Sequence, residues 1–237
     1  MINFTNNNIE DRIDQLKSEL KDLSEYPEEG LAEIIKDVGF ECDLCGKCCT
    51  RDFNGHAFLL DSDVDRIRKI DPDALVPAPF YEYCDQHGRF YVSGYALRFK
   101  EDGKCFFLEG GRCRIYNDRL AICRVYPYML HREGGEDGRI DWRQISGLDE
   151  HGYYNTELDD DYCKRSARET IEYETEFLLQ EIGFNETVRE HFAKNGLKHV
   201  KSIYDRRMRQ FTGGAAIEVF VYHNGALEQN VVTKSDY

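Results

Sequence analysis

Residues 42–49 read Cys-Asp-Leu-Cys-Gly-Lys-Cys-Cys and bring four of the chain's nine cysteines into one short stretch. Four thiolates this close would repel one another strongly, whereas a bound cation deprotonates the thiols and neutralises the resulting charge. The two-residue spacings let a tight loop turn three sulfurs toward one centre, and Gly46 permits the left-handed backbone that such a loop needs. The stretch therefore predicts a metal-binding loop.

A disulfide framework is the main alternative explanation for the cysteines. It predicts an even cysteine count and a secretion signal, but the count is odd and residues 1–8 hold no basic stretch followed by an apolar core. The sequence also lacks an apolar run of the roughly 18 residues needed to cross a bilayer. We therefore expect a soluble, cytoplasmic protein without a transmembrane segment.

Length and charge narrow the class of protein further. With 237 residues the chain can bury a core of its own, so metal is not required merely to offset small size. The formal net charge is −14, and basic residues form only short runs, at 66–69 and 206–209. Nucleic acid binding draws on clustered lysine and arginine that release counterions, so we expect no nucleic acid partner.

Hydrophobic periodicity predicts an α+β fold in three parts. Residues 1–37 form an N-terminal helical extension, whose apolar stripe from Ile9 to Leu23 either packs on the chain's own core or docks to a partner. Residues 38–165 form a small, irregular, cysteine-rich metal-binding domain with short hairpins rather than a large sheet. Residues 166–237 form C-terminal helices and a terminal hairpin.

Local signals place the individual elements. Asn8 is a candidate cap for the first helix, and Asp61 is expected to cap a later one that extends to Ile70. Further helices are predicted at 31–38, 167–183, 186–194 and 197–209, and strands at 90–92, 95–99, 105–108, 128–130, 139–142, 216–222 and 231–232. Their turns are predicted at Asp102-Gly103, Gly110-Gly111, Gly134-Gly135 and Asn224-Gly225.

A second group of cysteines follows at Cys105, Cys113 and Cys123. The Gly110-Gly111 turn would fold Cys105 back near Cys113, and Asp118 is expected to cap a helical turn that carries Cys123 to the same place. Three sulfurs would then converge a second time.

Cys48 and Cys49 are adjacent, which limits what each can bind. Neighbouring side chains of an extended backbone point to opposite sides. We therefore expect Cys48 to serve the first centre, while Cys49 reaches toward the second group of cysteines.

Taken together, the two groups resemble a known family. The combination of Cys42-x2-Cys45-Gly-x-Cys48-Cys49 with Cys113-x-Ile-Tyr116-x2-Arg119 and Cys123-Arg124-x-Tyr126-Pro127 is similar to the YkgJ family of cysteine-cluster proteins. The resemblance covers residues 38–165 and implies a zinc- or iron-chelating domain, often labelled an iron–sulfur oxidoreductase. The chain departs from the family in having Leu120 where proline is usual, and in lacking Pro-Gly after Cys163.

The expected ligands are therefore cysteines, and the metal follows from their chemistry. Sulfur-only ligation suits zinc or an iron–sulfur cluster, and three sulfurs at ferredoxin-like spacing favour one or two [4Fe-4S] clusters, with zinc as the alternative. Cys84 matches no part of the pattern and is expected to be a buried small side chain. The predicted ligand set is Cys42, Cys45, Cys48, Cys49, Cys105, Cys113, Cys123 and Cys163.

Three functions remain open. An iron–sulfur protein acting in electron transfer or redox sensing would need an external protein partner, because no Gly-x-Gly-x-x-Gly cofactor motif follows a strand. A metal-stabilised interaction subunit without catalysis of its own is the second, and a methyl-transfer-related protein is the third, since flagellin lysine N-methylases carry a similar cysteine cluster.

Three arginines and four histidines near the cysteines are further candidates for a role in the site. Arg114, Arg119 and Arg124 either donate to the thiolates or pair with acidic residues. The histidines near the cysteine-rich region are His56, His87, His131 and His151, of which His56 is the first to test.

Overall fold

Helices and short strands alternate along the residues described by the computed structural model, which are 9–128, 130–134, 140–144 and 150–237. The predicted α+β class is confirmed. The helices are α1 (Ile9–Ser24), α2 (Glu28–Val38), α3 (Arg51–Asn54), α4 (Asp61–Ile70), α5 (Ala121–Val125), α6 (Asp160–Asn195) and α7 (Lys201–Thr212). The strands are β1 (Leu75–Pro77), β2 (Tyr83–Cys84), β3 (Phe90–Val92), β4 (Tyr95–Leu97), β5 (Leu108–Glu109), β6 (Arg112–Cys113), β7 (Leu130–Gly134), β8 (Ile140–Gln144), β9 (Ile217–His223) and β10 (Ala226–Val232).

Both N-terminal helices lie along α6. The stripe of α1 is buried, because Ile13, Leu16 and Leu23 are each at most 1% exposed. Leu16 and Leu23 share one apolar cluster with Leu178 and Ile182 of α6. Of the two interpretations of the stripe, the structure therefore supports packing within the chain. The proposed cap, Asn8, lies outside the described residues.

One long helix, α6, replaces two predicted ones. Asp159 caps its N-terminus by accepting hydrogen bonds from the Asp161 and Tyr162 N–H groups, at 2.9 and 3.1 Å. The predicted end of a helix at Gly183 is wrong, because Gly183 lies inside α6, where its lack of a side chain allows close packing. A Cβ placed there would lie 2.4 Å from the hydroxyl of Tyr222, so only glycine lets the two elements approach this closely.

A four-stranded sheet, with strand order β10-β9-β3-β2, joins the C-terminal hairpin to the middle of the chain. The hairpin turns at Asn224-Gly225 as predicted, with both residues at positive φ. Strand β3 pairs parallel to β9, with Phe90 opposite Val219. The expectation of only small hairpins in the middle of the chain is therefore wrong for β3, because β9 comes from a segment more than a hundred residues away.

Smaller pairings surround the cysteines. The Gly110-Gly111 turn joins β5 and β6 as predicted, and β7 pairs with β8, although residues 129 and 135–139 lie outside the described ranges. The predicted strand at 105–108 is reduced to Leu108, while Cys105 makes an isolated bridge to Phe99.

Asp61 does not cap α4. It is the first residue of that helix, and its carboxylate accepts a hydrogen bond from Asn224 N–H at 2.8 Å.

The three-part division of the chain stays a prediction. Within the described ranges, every helix is too short or too polar to span a lipid bilayer.

Candidate metal centre

The loop that carries Cys42, Cys45 and Cys48 is shaped by two left-handed residues. Leu44 has a φ of 59° and Gly46 a φ of 73°, and these turns curl the backbone back on itself. Leu44 N–H points at Cys42 Sγ, 3.4 Å away, which is the kind of N–H donor that stabilises a thiolate ligand. The loop thus has the curled form that the sequence predicts.

Cys48 and Cys49 lie in a 3₁₀ turn, Lys47–Cys49, and not in extended backbone. Successive side chains of such a turn are about 120° apart, so the premise that the two point to opposite sides is wrong. Their sulfurs are 4.0 Å apart. The contact raises the pKa of Cys48 and lowers the pKa of Cys49 to about 7, where the charge of Arg119 also contributes.

The second group of cysteines is joined to the first through the backbone. Cys105 N–H donates to Cys49 O at 2.7 Å, which fixes the two segments side by side. Cys113 lies in β6 opposite Leu108.

Cys123 lies in α5, whose N-terminus is held differently from the prediction. The side chain of Asp63, on α4, accepts the Ala121 N–H at 3.0 Å. Asp118 ends the 3₁₀ turn Tyr116–Asp118 and does not cap α5, because Arg119 and Leu120 separate it from that helix.

Four thiols of this region act on one another electrostatically. Burial raises the pKa of Cys105 to about 11, with contributions from the charges of Cys49 and Cys113. The pKa of Cys123 is also raised, first by burial and then by Cys105, Cys49 and Cys113. The charges of Cys123 and Cys42 likewise contribute to the raised pKa of Cys48. The fold thus collects thiols from residues 42–49, 105–113 and α5 in one region.

The remaining two cysteines, Cys84 and Cys163, are buried. Cys84 is fully buried, as predicted, and its thiol points at Asp85 O at 3.6 Å. Cys163 is 2% exposed in an apolar cluster that includes Ala167 and Leu178. Burial, followed by the charge of Asp160, raises its pKa. Its assignment as a ligand stays a prediction.

The thiols fit a zinc or iron centre by their chemistry, since a cation would relieve the burial and mutual repulsion that keep Cys105 and Cys123 protonated. Across the ranges 9–128, 130–134, 140–144 and 150–237, however, no three Cys, His, Asp or Glu side chains are already arranged to hold an ion. Side-chain rotation must therefore accompany binding.

A group of aromatic side chains that contains buried polar atoms without hydrogen-bond partners in the described residues borders the loop. The ring of His151 packs at 4.8 Å from Phe53, 5.5 Å from Tyr126 and 6.0 Å from Phe40. Both its ring nitrogens and the hydroxyl of Tyr126 are closed to solvent, and none has a hydrogen-bond partner in the described part of the chain. Burial lowers the pKa of His151, followed by the charge of Lys47. Burial raises the pKa of Tyr126, with contributions from Cys48 and Cys45.

Sequence reasoning put His56 ahead of His151. The ring of His56 packs 4.3 Å from Phe80 and lines a separate cavity of about 180 Å³ with Arg51 and Tyr237. The side chain of His131 lies outside the described residues.

Of the three arginines singled out in the sequence, Arg119 acts on the thiols. Its charge lowers the pKa of Cys49, after the larger effect of Cys48. Arg114 instead pairs with Asp71 and Glu109, and Arg124 pairs with Glu169 at 3.7 Å.

The loop reaches the molecular surface. Cys45 is exposed, and an open cleft of about 620 Å³ lies beside it, lined by Lys47, Lys100 and Lys104 among others. Large apolar side chains are also exposed around the loop, namely Leu44, Tyr116, Tyr153 and Tyr162, at 37–63%. The backbone of Tyr153 pairs with that of Glu41.

Comparison with known proteins agrees with this picture. A family model named CxxCxxCC, described as a "Putative zinc- or iron-chelating domain", matches residues 41–163. An uncharacterized protein of Methanocaldococcus jannaschii is 30% identical over 108 residues, which are 43% of this chain and 52% of that protein, so the match spans about half of the relative's length. No solved structure matches the chain. Because the family match covers more than half of the chain and ends at Cys163, the resemblance to the YkgJ-type cluster is confirmed, and this protein belongs to the CxxCxxCC family of zinc- or iron-chelating domains.

Proposed function

We propose that this protein is an iron–sulfur protein that holds one or two clusters, of the [4Fe-4S] type, and acts in electron transfer or redox sensing together with a larger protein partner. The observation that carries the proposal is the convergence of Cys49, Cys105, Cys113 and Cys123, whose thiols act on one another's pKa, beside the Cys42–Cys48 loop.

The chemistry of the donors supports iron–sulfur ligation. The thiols of both groups are soft sulfur ligands, and the Cys-x2-Cys-x2-Cys spacing resembles loops that hold three corners of a cubane. Hydrogen bonds to ligand sulfurs tune the potential of such a cluster, and Leu44 N–H is placed to provide one at Cys42. When bound, the cluster would supply one-electron chemistry, while the chain's residues hold it and set its surroundings.

The surface around the loop supports a redox partner. Leu44, next to the exposed Cys45, is itself exposed, and so are the side chains of Tyr116 and Tyr153. Exposed apolar patches on otherwise charged proteins mark docking sites. A cluster at this position would lie close to whatever protein docks there, which shortens the path for an electron.

A zinc-stabilised interaction subunit is the second candidate. Zinc held by four thiolates at about 2.3 Å places neighbouring sulfurs roughly 3.8 Å apart. The sulfurs of Cys48 and Cys49 are 4.0 Å apart, so thiols of this region already approach the sulfur spacing of a zinc site.

Metal and sulfide analysis of protein purified without oxygen separates the two candidates. We expect iron and acid-labile sulfide in equal amounts, and a paramagnetic signal after reduction. The variant Cys105→Ser should lower the iron content, whereas Cys84→Ala, outside the thiol group, should not. Stoichiometric zinc without sulfide would instead establish the zinc candidate, and a folded protein free of both metals would refute both.

A further inference from the structure

The cysteines that face the metal region leave one of the two centres short of a ligand. Cys49, Cys105, Cys113 and Cys123 make a group of four that influence one another. The Cys42–Cys48 loop contributes only three thiols of its own, at Cys42, Cys45 and Cys48. A four-coordinate zinc or a cubane corner therefore needs one further donor on that side.

The segment that follows residue 149 is fastened onto this loop from both sides of His151. Lys47 Nζ donates to Glu150 O at 3.1 Å and lies 3.6 Å from the Glu150 carboxylate. Beyond them, Glu41 and Tyr153 exchange two backbone hydrogen bonds of 2.9 Å. These contacts hold the backbone of His151 over the loop.

The surroundings of the His151 ring add a second, independent observation. The ring is enclosed by Phe40 and Phe53, which flank the cysteine stretch in sequence, and by Tyr126, whose hydroxyl lies within the influence of Cys48 and Cys45. Both ring nitrogens are closed to solvent without a hydrogen-bond partner in the described part of the chain. A buried polar group left unpaired costs free energy, and a bound metal ion would satisfy one nitrogen.

We propose that His151 supplies the fourth ligand, through an imidazole nitrogen, to the metal centre held by Cys42, Cys45 and Cys48. The inference rests on the metal binding stated under the proposed function and holds for zinc or iron, since imidazole and thiolate together ligate both. It assigns the other centre to Cys49, Cys105, Cys113 and Cys123.

Charge favours imidazole over a further thiolate at this position. The loop already carries the carboxylates of Glu41 and Asp43, and Glu150 lies beside Lys47. A neutral imidazole leaves the centre one charge less negative than a fourth thiolate would. The thiol that competes for the position, Cys163, is 2% exposed in an apolar cluster against which Cys42 also packs, so a variant of Cys163 belongs in the test.

Spectroscopy of the anaerobically isolated protein tests the ligand directly. If the protein carries iron, pulsed paramagnetic resonance of the reduced sample should reveal coupling to a histidine nitrogen. If it carries zinc, X-ray absorption should show an imidazole at 2.0–2.1 Å beside the sulfurs. His151→Ala should abolish this nitrogen signal and weaken metal retention against a chelator by roughly tenfold or more.

Three further variants keep the test decisive. His151→Cys should retain the metal while losing the nitrogen signal, even if the alanine variant folds poorly. His56→Ala and Cys163→Ser should keep both the signal and the metal. A loaded wild-type protein without a nitrogen ligand, a nitrogen signal that survives in His151→Ala, or loss of the first centre in Cys163→Ser would overturn the assignment. A wild-type protein free of metal would refute the proposed function instead.

Discussion

At the scale of single residues, the fold gives neighbouring thiols different acidities. The hydrogen bond between Cys48 and Cys49 lowers the pKa of Cys49 to about 7, although burial opposes it, and the positive charge of Arg119 adds to the lowering. Burial raises the pKa of Cys105 to about 11. In metal-free protein Cys49 therefore ionises at a lower pH than Cys105, which favours Cys49 as the first sulfur to bind an incoming ion.

Arg119→Gln should raise the pKa of Cys49, because an opposite charge beside an acid stabilises its ionised form. The thiolate is the reactive form, so the alkylation rate at Cys49 should rise through pH 7 in the metal-free wild type and at higher pH in the variant. Mass spectrometry of iodoacetamide-treated protein across pH measures this rate. Arg112→Gln, at an exposed arginine next to Cys113, is the matched control and should match the wild type. Coincident profiles for Arg119→Gln and wild type would contradict the role of Arg119.

Sequence identified the cysteines of the site but not their surroundings. The spacing from Cys42 to Cys49 is a local signal and needs no tertiary information. His151 follows that stretch by about a hundred residues and carries no spacing signal, so its place beside the loop is found only from the contacts of Glu150 and Tyr153. The opposed Cys48 and Cys49 side chains were predicted wrongly because a 3₁₀ turn cannot be distinguished from extended backbone by spacing alone.

At the scale of elements, local signals predict the positions of turns better than the lengths of helices. Asn224-Gly225 and Gly110-Gly111 were predicted as turns because their residues favour positive φ, and the structure places them there. The full extent of α6 was missed because Gly183 resembles a helix end, whereas its role depends on Tyr222, a partner far along the chain. The parallel pairing of β3 with β9 is a tertiary contact of the same kind.

Gly183→Ala should destabilise the protein although alanine is ordinarily the better helix former. The added Cβ would meet the Tyr222 hydroxyl at 2.4 Å and force α6 away from β9, at a cost of about 1–3 kcal/mol. Chemical denaturation of metal-loaded protein measures the free energy of unfolding. Gly30→Ala in α2 is the matched control, since its Cβ would meet Pro27 at an ordinary 3.5 Å, and it should be neutral or stabilise by up to about 1 kcal/mol. Equal effects of the two substitutions would show that packing at Gly183 does not matter.

At the scale of the whole molecule, regular structure and candidate metal ligands are unevenly distributed. The long elements pack on one another, with α1 and α2 against α6 and with β9 between β3 and β10. The two segments at residues 42–54 and 104–124, which carry seven of the thiols, contain only 3₁₀ turns, two short helices and two-residue strands. Ordering each residue of such segments costs about 1–2 kcal/mol of backbone entropy, which buried side chains such as Phe107 and Leu120 offset in part, so bound metal should add to their order.

Removal of the metal should therefore loosen the thiol segments while α6 and its partners stay folded. We expect amide hydrogen exchange in residues 42–54 and 104–124 to accelerate after chelation. The bond from Cys105 N–H to Cys49 O, which joins the two segments, should open among the first. Exchange in α1, α6 and β9 should change little, because Leu16, Leu178 and Val219 keep their apolar contacts without an ion. Uniform loss of protection along the chain would mean that the metal is needed for the entire fold. Unchanged protection at Cys105 would mean that the thiol region is held together without metal. Either result would contradict the division into thiol segments that depend on metal and helices that do not.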